Sequence, residues 1–412
     1  MALIRVSGPA AHDAVEALSG SIPPDHRAAL RTLRGRDGEA IDKALVLVFP
    51  EGRSFTGEAV AEFHVHGGRA TISAVLGELA AIQGLRIAEP GEFTRRALEN
   101  GRLDLTEVEG LADLIDAETE AQRKQAMRVF DGALGKKVGL WREALVRAMA
   151  LLAVTIDFSE EDVPDDVAHD VLNGLTEVKS GIAAEMSGMA TAERIRDGFE
   201  VAIVGPPNIG KSTLLNALAG RDAALTSDIA GTTRDVIEVR MDLNGLPVSF
   251  LDTAGLRETS DAIEKMGIAR ALKRAAAADI RVVLVEAGRA PMIELHSHDL
   301  VLIGKQDAPG NGEGVSGLTG HGIDQVLAKI EAHLSETTAQ AGLITRERHM
   351  VAMKTAIAGL QASIDQVISG TFEVELVSED LRRAVLALDS LIGKVDVEDL
   401  LDSIFSSFCI GK

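Results

Sequence analysis

The sequence predicts a multidomain chain of α/β and all-α parts. An α/β domain opens it, a helical domain follows, and a Ras-like P-loop domain is inserted between two blocks of that helical domain. Three observations carry this prediction. Residues 1 to about 100 alternate short apolar runs with helix-like periodicity, and apolar residues recur at helical spacing from Leu105 to about Arg196 and again from about Thr345. Between those blocks the apolar run Val201 to Val204 leads into G-x-x-x-x-G-K-S at Gly205 to Ser212, and Leu214, Leu215 and Leu218 continue as a helix. The boundaries that follow are 1–103, 104–197, 198–334 and 335–412, the last being the second helical block.

In the first domain, Leu3 to Val6, Ala44 to Phe49 and Val60 to His66 read as strands, and His12 to Leu18 and Arg69 to Ile82 as helices. Glu62, His64 and His66 alternate, so they project from one face of a strand. Glu-x-His-x-His admits a metal reading, but three ligands on one flat face rarely converge, and a polar pocket wall is the competing one. Pro90-Gly91-Glu92 marks a break.

The helical block begins with a stripe of Leu105, Val108, Leu111, Ala112 and Ile115, with acids on the opposite face. The acidic stretch Ser159 to Asp166 reads as solvated surface, and Asp197-Gly198 as the way into the inserted domain. After that domain, Val397, Leu400, Leu401, Ile404 and Phe408 form a stripe leading to Cys409. Chain termini of a compact domain lie close together, which makes such an insertion tolerable.

The inserted domain carries the chemistry. A Gly-rich turn between strand and helix points backbone N–H groups at an anion, and the helix N-terminus adds partial positive charge. Lys211 can reach β- and γ-phosphates, and the Ser212 hydroxyl can ligate Mg²⁺. Gly231-Thr232-Thr233 offers hydroxyls to Mg²⁺ and the γ-phosphate. Asp252-Thr253-Ala254-Gly255 follows the apolar run Val248 to Leu251, where Asp252 can hold Mg²⁺ through water and Gly255 can approach the γ-phosphate. Lys305-Gln306-Asp307 follows the run Leu300 to Ile303, and the Asp307 carboxylate can accept two N–H donors of guanine. Ser316-Gly317-Leu318 closes the base pocket. Such stretches in this order describe a GTPase. Leu256 stands where Ras-type enzymes place the glutamine that orients water, so that help must come from elsewhere.

The stretches GPPNIGKSTLLNAL, TSDIAGTTRDVI, DTAGLRET, SFTGEAVAEFHVHGG, PGEFTRRALENGRLDLTEVEGLADLIDAETEAQ and the terminal SSFCIGK resemble the MnmE (TrmE) family of tRNA modification GTPases over essentially the whole chain. The resemblance implies a folate-binding N-terminal domain, a homodimer, and a flavin (FAD) partner of the MnmG type in a heterotetramer. Together they place an aminomethyl or carboxymethylaminomethyl group on C5 of the wobble uridine (U34) of tRNA, in the cytoplasm. The one-carbon unit would come from 5-formyl- or methylene-tetrahydrofolate, held by Arg5, Glu62, Arg102 and Lys412. Taken singly, Arg5 and Arg102 also read as surface ion pairs. GTP would be bound by Asn208, Ile209, Gly210, Lys211, Ser212, Thr213, Ser227, Asp228, Ile229, Ala230, Gly231, Thr232 and Thr233, besides the Asp252, Lys305 and Ser316 stretches.

The same resemblance implies Mg²⁺ on Ser212 and Thr233, and K⁺ on Asn208, Ser227, Ile229 and Thr232. A K⁺ held by oxygens against the phosphates does the charge work of an arginine finger. Glu264 would orient the water, although a Glu in a helix-like run is by default solvent-facing. Cys409 reads either as a small buried hydrophobe or as a chemical group beside the folate.

Four features depart from the family pattern. Pro206 stands where Arg or Lys is usual, and Gly304 where guanine loops usually carry Asn, so weaker nucleotide affinity is expected. Residues 288–299 and 308–315 are short, so a clipped helix is expected there. The family also usually carries about one more strand, roughly 5–6 residues, ahead of Leu3.

Composition sets the remaining bounds. The 412 residues are 46% hydrophobic and 25% charged, which is globular and allows two or three cores. No apolar run approaches the roughly 18–20 residues of a membrane span, and no secretory apolar region follows Met1. One cysteine excludes an internal disulfide and fits a reducing cytosol. The net charge of −21 makes any grip on tRNA local, or supplied by the partner. A ribosome-assembly GTPase like Era or Der is the alternative, but those append a basic RNA-binding module, whereas helices and Cys-Ile-Gly-Lys follow here. A third reading is a folate-binding scaffold without hydrolysis.

Overall fold

The structure is a computed structural model, and it describes residues 1–157, 166–221, 223–225, 238–252, 273–291, 293–309, 313–339, 341–369, 373–395 and 405. The chain forms two compact units, Met1–Ala112 with Gly135–Gly139 and Leu388–Lys412, and Asp113–Leu134 with Leu140–Ala387.

In the first unit β1 (Ala2–Ser7), β2 (Ala29–Arg34), β3 (Ala40–Phe49) and β4 (Val60–Val65) form an antiparallel sheet in the order β1-β4-β3-β2. Its pattern alternates. Ile4, Val6, Leu33, Ala44, Val46, Val48, Ala61, Phe63 and Val65 are buried with Val15 and Leu18 of α1 (Ala11–Ser19) and Val75 and Leu79 of α2 (Arg69–Ala80). The opposite face stays partly open, with Leu3, Leu30 and Leu45 exposed, as one-sided antiparallel sheets do. Strand β2 has no counterpart among the expected elements, because it is a sheet edge whose residues are mostly half-buried. The same holds for helix α3 (Glu92–Glu99), which starts directly at the Pro90-Gly91 break.

Helices α4 (Leu105–Asp116), α5 (Glu120–Phe130), α6 (Ala133–Asp157), α7 (Asp166–Ser187) and α8 (Met189–Asp197) follow. In α4 the expected stripe is only partly realised. Leu105 and Val108 are buried and Ile115 is exposed, while Thr106, Glu109 and Gly110 join the buried side. Thr119 caps α5 with a reciprocal Gln122 box, which satisfies two N-terminal donors.

In the second unit β5 (Phe199–Val204), β6 (Glu238–Leu243), β7 (Leu246–Asp252), β8 (Ile280–Val285), β9 (Leu300–Gly304) and β10 (Gly314–Val315) form one sheet in the order β10-β9-β8-β5-β7-β6. All pairs are parallel except the β6–β7 hairpin. Every residue of β7 and β8 is buried, which is why these strands read as unbroken apolar runs. Even Arg281 is inside, paired with Asp299 at 2.8 Å and 2.5 Å. Helices α9 (Lys211–Ala219) and α10 (Ile323–Thr338) pack Leu214, Leu215, Leu218, Ile323, Val326, Leu327 and Ile330 onto the sheet. Among the described residues between β8 and β9 no helix occurs, so the expected clipped helix is absent from them.

Helices α11 (Glu347–Ser369) and α12 (Val374–Leu391) close the described chain, and α11 lies along α7. The chain enters and leaves the sheet at one place. Arg196 bonds the Thr345 carbonyl, Gly342 N–H donates to Gly188 O at 3.1 Å, and Leu343 N–H donates to Glu185 at 3.0 Å. The stripe residues Val397, Leu400, Leu401, Ile404 and Phe408 lie outside the described residues, as do residues 159–165 of the acidic stretch.

Candidate nucleotide site and an arginine–glutamate site

Strand β5 is central, with its neighbours reached by connections in opposite directions, so its C-terminal end lies at a switch point of the sheet. The loop after it winds through three left-handed or glycine-type residues, Gly205 (φ 152), Asn208 (φ 62) and Gly210 (φ 109), before α9 begins at Lys211. Gly205 is required there, since a Cβ would lie 2.6 Å from the Leu284 carbonyl oxygen. Lys211 is only 6% exposed, and its ammonium donates to the Gly205 and Pro206 carbonyls at 2.8 Å and 2.9 Å. Burial pulls its pKa below the ordinary lysine value, partly offset by Asp252. A cation folded onto the loop's carbonyls is poised to exchange them for phosphate oxygens.

Ser212 Oγ donates to Asp252 Oδ2 at 2.7 Å. The two oxygen ligands expected around Mg²⁺, one direct and one through water, thus meet at a single point beside the loop. They are hard donors of the kind Mg²⁺ prefers.

The base side is built from β9, β10 and the turn after it. Asp307 Oδ1 accepts from Ser316 Oγ at 2.6 Å, and the Ser316 hydroxyl accepts in turn from Leu318 N and Thr319 N, both at 3.2 Å. Thr319 Oγ1 donates to the Asp307 carbonyl at 3.2 Å. Gly317 lies against the first turn of α9, where a Cβ would fall 2.5 Å from the Thr213 carbonyl oxygen. Ile209, Gly210, Thr213, Lys305, Asp307 and Ser316 line one cavity of about 250 Å³, together with Gly317 and Leu318. Leu318 is 79% exposed at its mouth, an apolar side chain placed to cover a ring.

The structure brings together the 205–213, 305–307 and 316–318 stretches around one cavity, with Asp252 against Ser212. Ser227, Asp228, Ile229, Ala230, Gly231, Thr232, Thr233, Thr253, Ala254, Gly255, Leu256 and Glu264 lie outside the described residues, as do Cys409 and Lys412.

In the first unit Arg5 and Glu62 sit directly opposite each other on β1 and β4. Arg5 donates from Nε and Nη2 to Glu62 Oε1 at 2.9 Å and 2.8 Å, and lies 5.7 Å and 5.6 Å from the Phe55 and Phe93 ring centres. His64 reaches Glu62 at 3.4 Å, but His66 falls past the end of β4 and bonds Asp42 at 2.8 Å. The three therefore diverge, and no group of metal-ligating side chains forms among the described residues. Arg102 bonds the Gly52 carbonyl at 3.4 Å, on the loop that carries Phe55.

A cavity of about 430 Å³ lies beside Arg5, lined by Leu3, Leu76, Ile87 and Phe93 and by the charged Arg86, Glu92 and Arg96. Sequence reasoning missed that charged cluster. Burial opposes ionisation of Glu92, but hydrogen bonds from Arg86, the Glu89 N–H and Arg96 prevail and hold its carboxyl at about 2. Arg96 also reaches Glu58 at 2.9 Å, and Ser7 donates to the same carboxylate at 2.8 Å. The Glu-Phe-Thr-Arg-Arg run held the signal, since Glu92 and Arg96 are one helical turn apart.

Comparison with known proteins places these sites in context. The family model described as the GTP-binding protein TrmE N-terminus matches residues 1–102, and that of the MnmE helical domain matches residues 105–409. The tRNA modification GTPase MnmE of Cereibacter sphaeroides is 58% identical over 414 residues, covering 100% of this chain and 96% of that protein. Its namesakes from Roseobacter denitrificans and Paracoccus denitrificans are 56% and 49% identical, with the same coverage. Among the described residues no helix is long and apolar enough to cross a membrane.

Proposed function

Because the chain belongs to the MnmE family of tRNA modification GTPases, we propose that GTP turnover at the 205–318 site is K⁺-activated and drives a folate-dependent modification of the wobble uridine of tRNA. The chain is a GTP hydrolase of tRNA modification. The single observation that supports the finer reading of its site is the 250 Å³ cavity, which puts a guanine-reading carboxylate, Asp307, in the same pocket as the phosphate loop.

In this reading the loop N–H groups and Lys211 bind the phosphates, and Ser212 with Asp252 would hold Mg²⁺, which would supply charge neutralisation to the phosphates. Ser316 holds Asp307 by one oxygen and so orients the carboxylate toward the N–H edge of guanine. Leu318 shields the ring from water. Asn208, held at φ 62 in the middle of the loop, would supply one K⁺ ligand. Ser227, Ile229 and Thr232 would supply the others, and Glu264 would orient water. Thr233 would complete the Mg²⁺ shell.

The folate reading draws support from the Arg5–Glu62 pair beside the apolar cavity. A carboxylate there accepts the N–H donors of a pterin, and an arginine between aromatic rings suits a flat ligand. Arg102 and Lys412 would meet the glutamyl carboxylates. A homodimer, and a flavin protein of the MnmG type as partner, complete the proposal, with cytoplasmic location. Cys409 is assigned either packing or chemistry beside the folate.

Two measurements test it. Phosphate release from GTP is expected to be fast in KCl and slow in NaCl, and equal rates in the two salts would remove K⁺ from the mechanism. Mass analysis of tRNA nucleosides from cells lacking the chain should show U34 without its C5 aminomethyl-type group. Intact modification would overturn the assigned substrate.

A further inference from the structure

Gly304 ends β9 at the position where guanine loops usually carry Asn, and its surroundings explain the exchange. A Cβ built there would lie 2.8 Å from the Ile209 carbonyl oxygen, 2.8 Å from Ile209 Cγ1 and 3.2 Å from Cδ1. Ile209 is buried, and on its other side its Cγ2 would lie 3.3 Å from a Cβ at Gly205. The phosphate loop is thus wedged at Ile209 between two positions that tolerate no side chain. The next residues touch as well, since a Cβ at Gly210 would meet Lys305 Cγ at 3.5 Å.

We propose that Gly304 is a positioning residue for nucleotide binding, whose missing side chain lets β9 bear directly on the Ile209 carbonyl and so fixes the phosphate loop. A glycine inside a strand often marks such a close approach of another backbone. One of the two equally near obstacles is main chain, so a side chain at 304 cannot be accommodated by a rotamer change of Ile209 alone. It must push the Ile209 peptide, and with it the N–H groups aimed at the phosphates. Gly304 is therefore not a lost Asn contact that weakens affinity. Restoring Asn should weaken binding, which inverts the expectation from the guanine-loop pattern. The inference rests on reading residues 205–212 as the phosphate loop.

The test uses the full chain with Gly304→Ala and Gly304→Asn. Affinity for fluorescent GDP, KM and kcat for GTP, and melting without nucleotide are measured. The dissociation constant and KM are expected to rise about tenfold with Ala and further with Asn, while kcat moves less than about threefold, as overpacking that displaces a binding loop predicts. Adding Ile209→Ala to Gly304→Asn should recover part of the loss, since two of the three contacts are to the isoleucine side chain. Affinity equal to or tighter than the parent in either variant overturns the proposal, and Gly304→Ala decides alone if Gly304→Asn does not fold. Lys211→Ala separates the two premises. Normal binding in that variant would remove the phosphate-loop reading itself. Lost binding there beside unchanged Gly304 variants removes only the seat.

Discussion

The two sheets of this protein show two ways of placing chemistry on β-structure. The antiparallel sheet of the first unit covers one face with α1 and α2 and leaves side chains on the other face to make a site. Arg5 and Glu62 meet there because their strands pair in that register. The mostly parallel sheet of the second unit has β7 and β8 buried along their whole length and β5 nearly so, which leaves its faces unavailable. Its site forms instead at the C-terminal strand ends, from Asp252 at the end of β7 and the loops that follow β5, β9 and β10. The first kind of site depends on strand register and the second on loop geometry.

The largest expected break in this comparison is at the core of the first sheet. Phe63 on β4 is fully buried, and Phe63→Ala should cost about 3–5 kcal/mol in chemical unfolding of the unit that holds it. GTP hydrolysis per folded molecule should stay within about twofold, because the affected core holds no residue of the nucleotide site. A loss of hydrolysis as large as the loss of stability would erase the distinction between the two sheets.

Lys211→Ala tests the loop-built site. Removing the ammonium that now rests on the Gly205 and Pro206 carbonyls should lower kcat/KM for GTP on the order of 100-fold, as loss of one preorganised charge at developing phosphate charge does. The Arg5–Glu62 site should be untouched, read as an unchanged affinity of the same variant for the folate proposed to bind there. A smaller effect sharpens the comparison on the first sheet, through acid. The Glu92 carboxyl is held at about 2, below its ordinary 4.5, so its stabilisation is complete above pH 4.5. It fades as pH falls through about 2. Glu92→Gln should therefore flatten the acid side of the stability curve between pH 4.5 and 2. An unchanged curve would mean that the Arg86–Glu92–Arg96 network adds nothing.

Legibility in the sequence follows the same division. The phosphate loop, Asp252, Asp307 and Ser316 are readable because phosphate binding uses short contiguous loops with fixed spacing, and because the strands before them are unbroken apolar runs. Gly304 reads from sequence as a lost contact, since only coordinates reveal that a Cβ would strike the Ile209 carbonyl. In the first unit the pairing of Arg5 with Glu62 is set by register between strands far apart in sequence, which periodicity does not encode. His66 shows the cost of that limit. Alternation puts it on one face with Glu62 and His64, yet β4 ends one residue earlier and the ring turns to Asp42. Strand β2 escapes for a different reason: an edge strand with half-buried polar positions lacks a clean alternation.

The central claim is that Asp307 reads guanine in the cavity beside the phosphate loop. The decisive measurement is kcat/KM for GTP and for xanthosine triphosphate with Asp307→Asn. Xanthine carries an oxygen where guanine carries its exocyclic amine, and an Asn amide can donate to it. The variant is expected to lose GTP and gain xanthosine triphosphate by about 10²-fold or more each, the scale on which buried hydrogen-bond partners discriminate. Unchanged preference for GTP would place the base elsewhere and contradict the site.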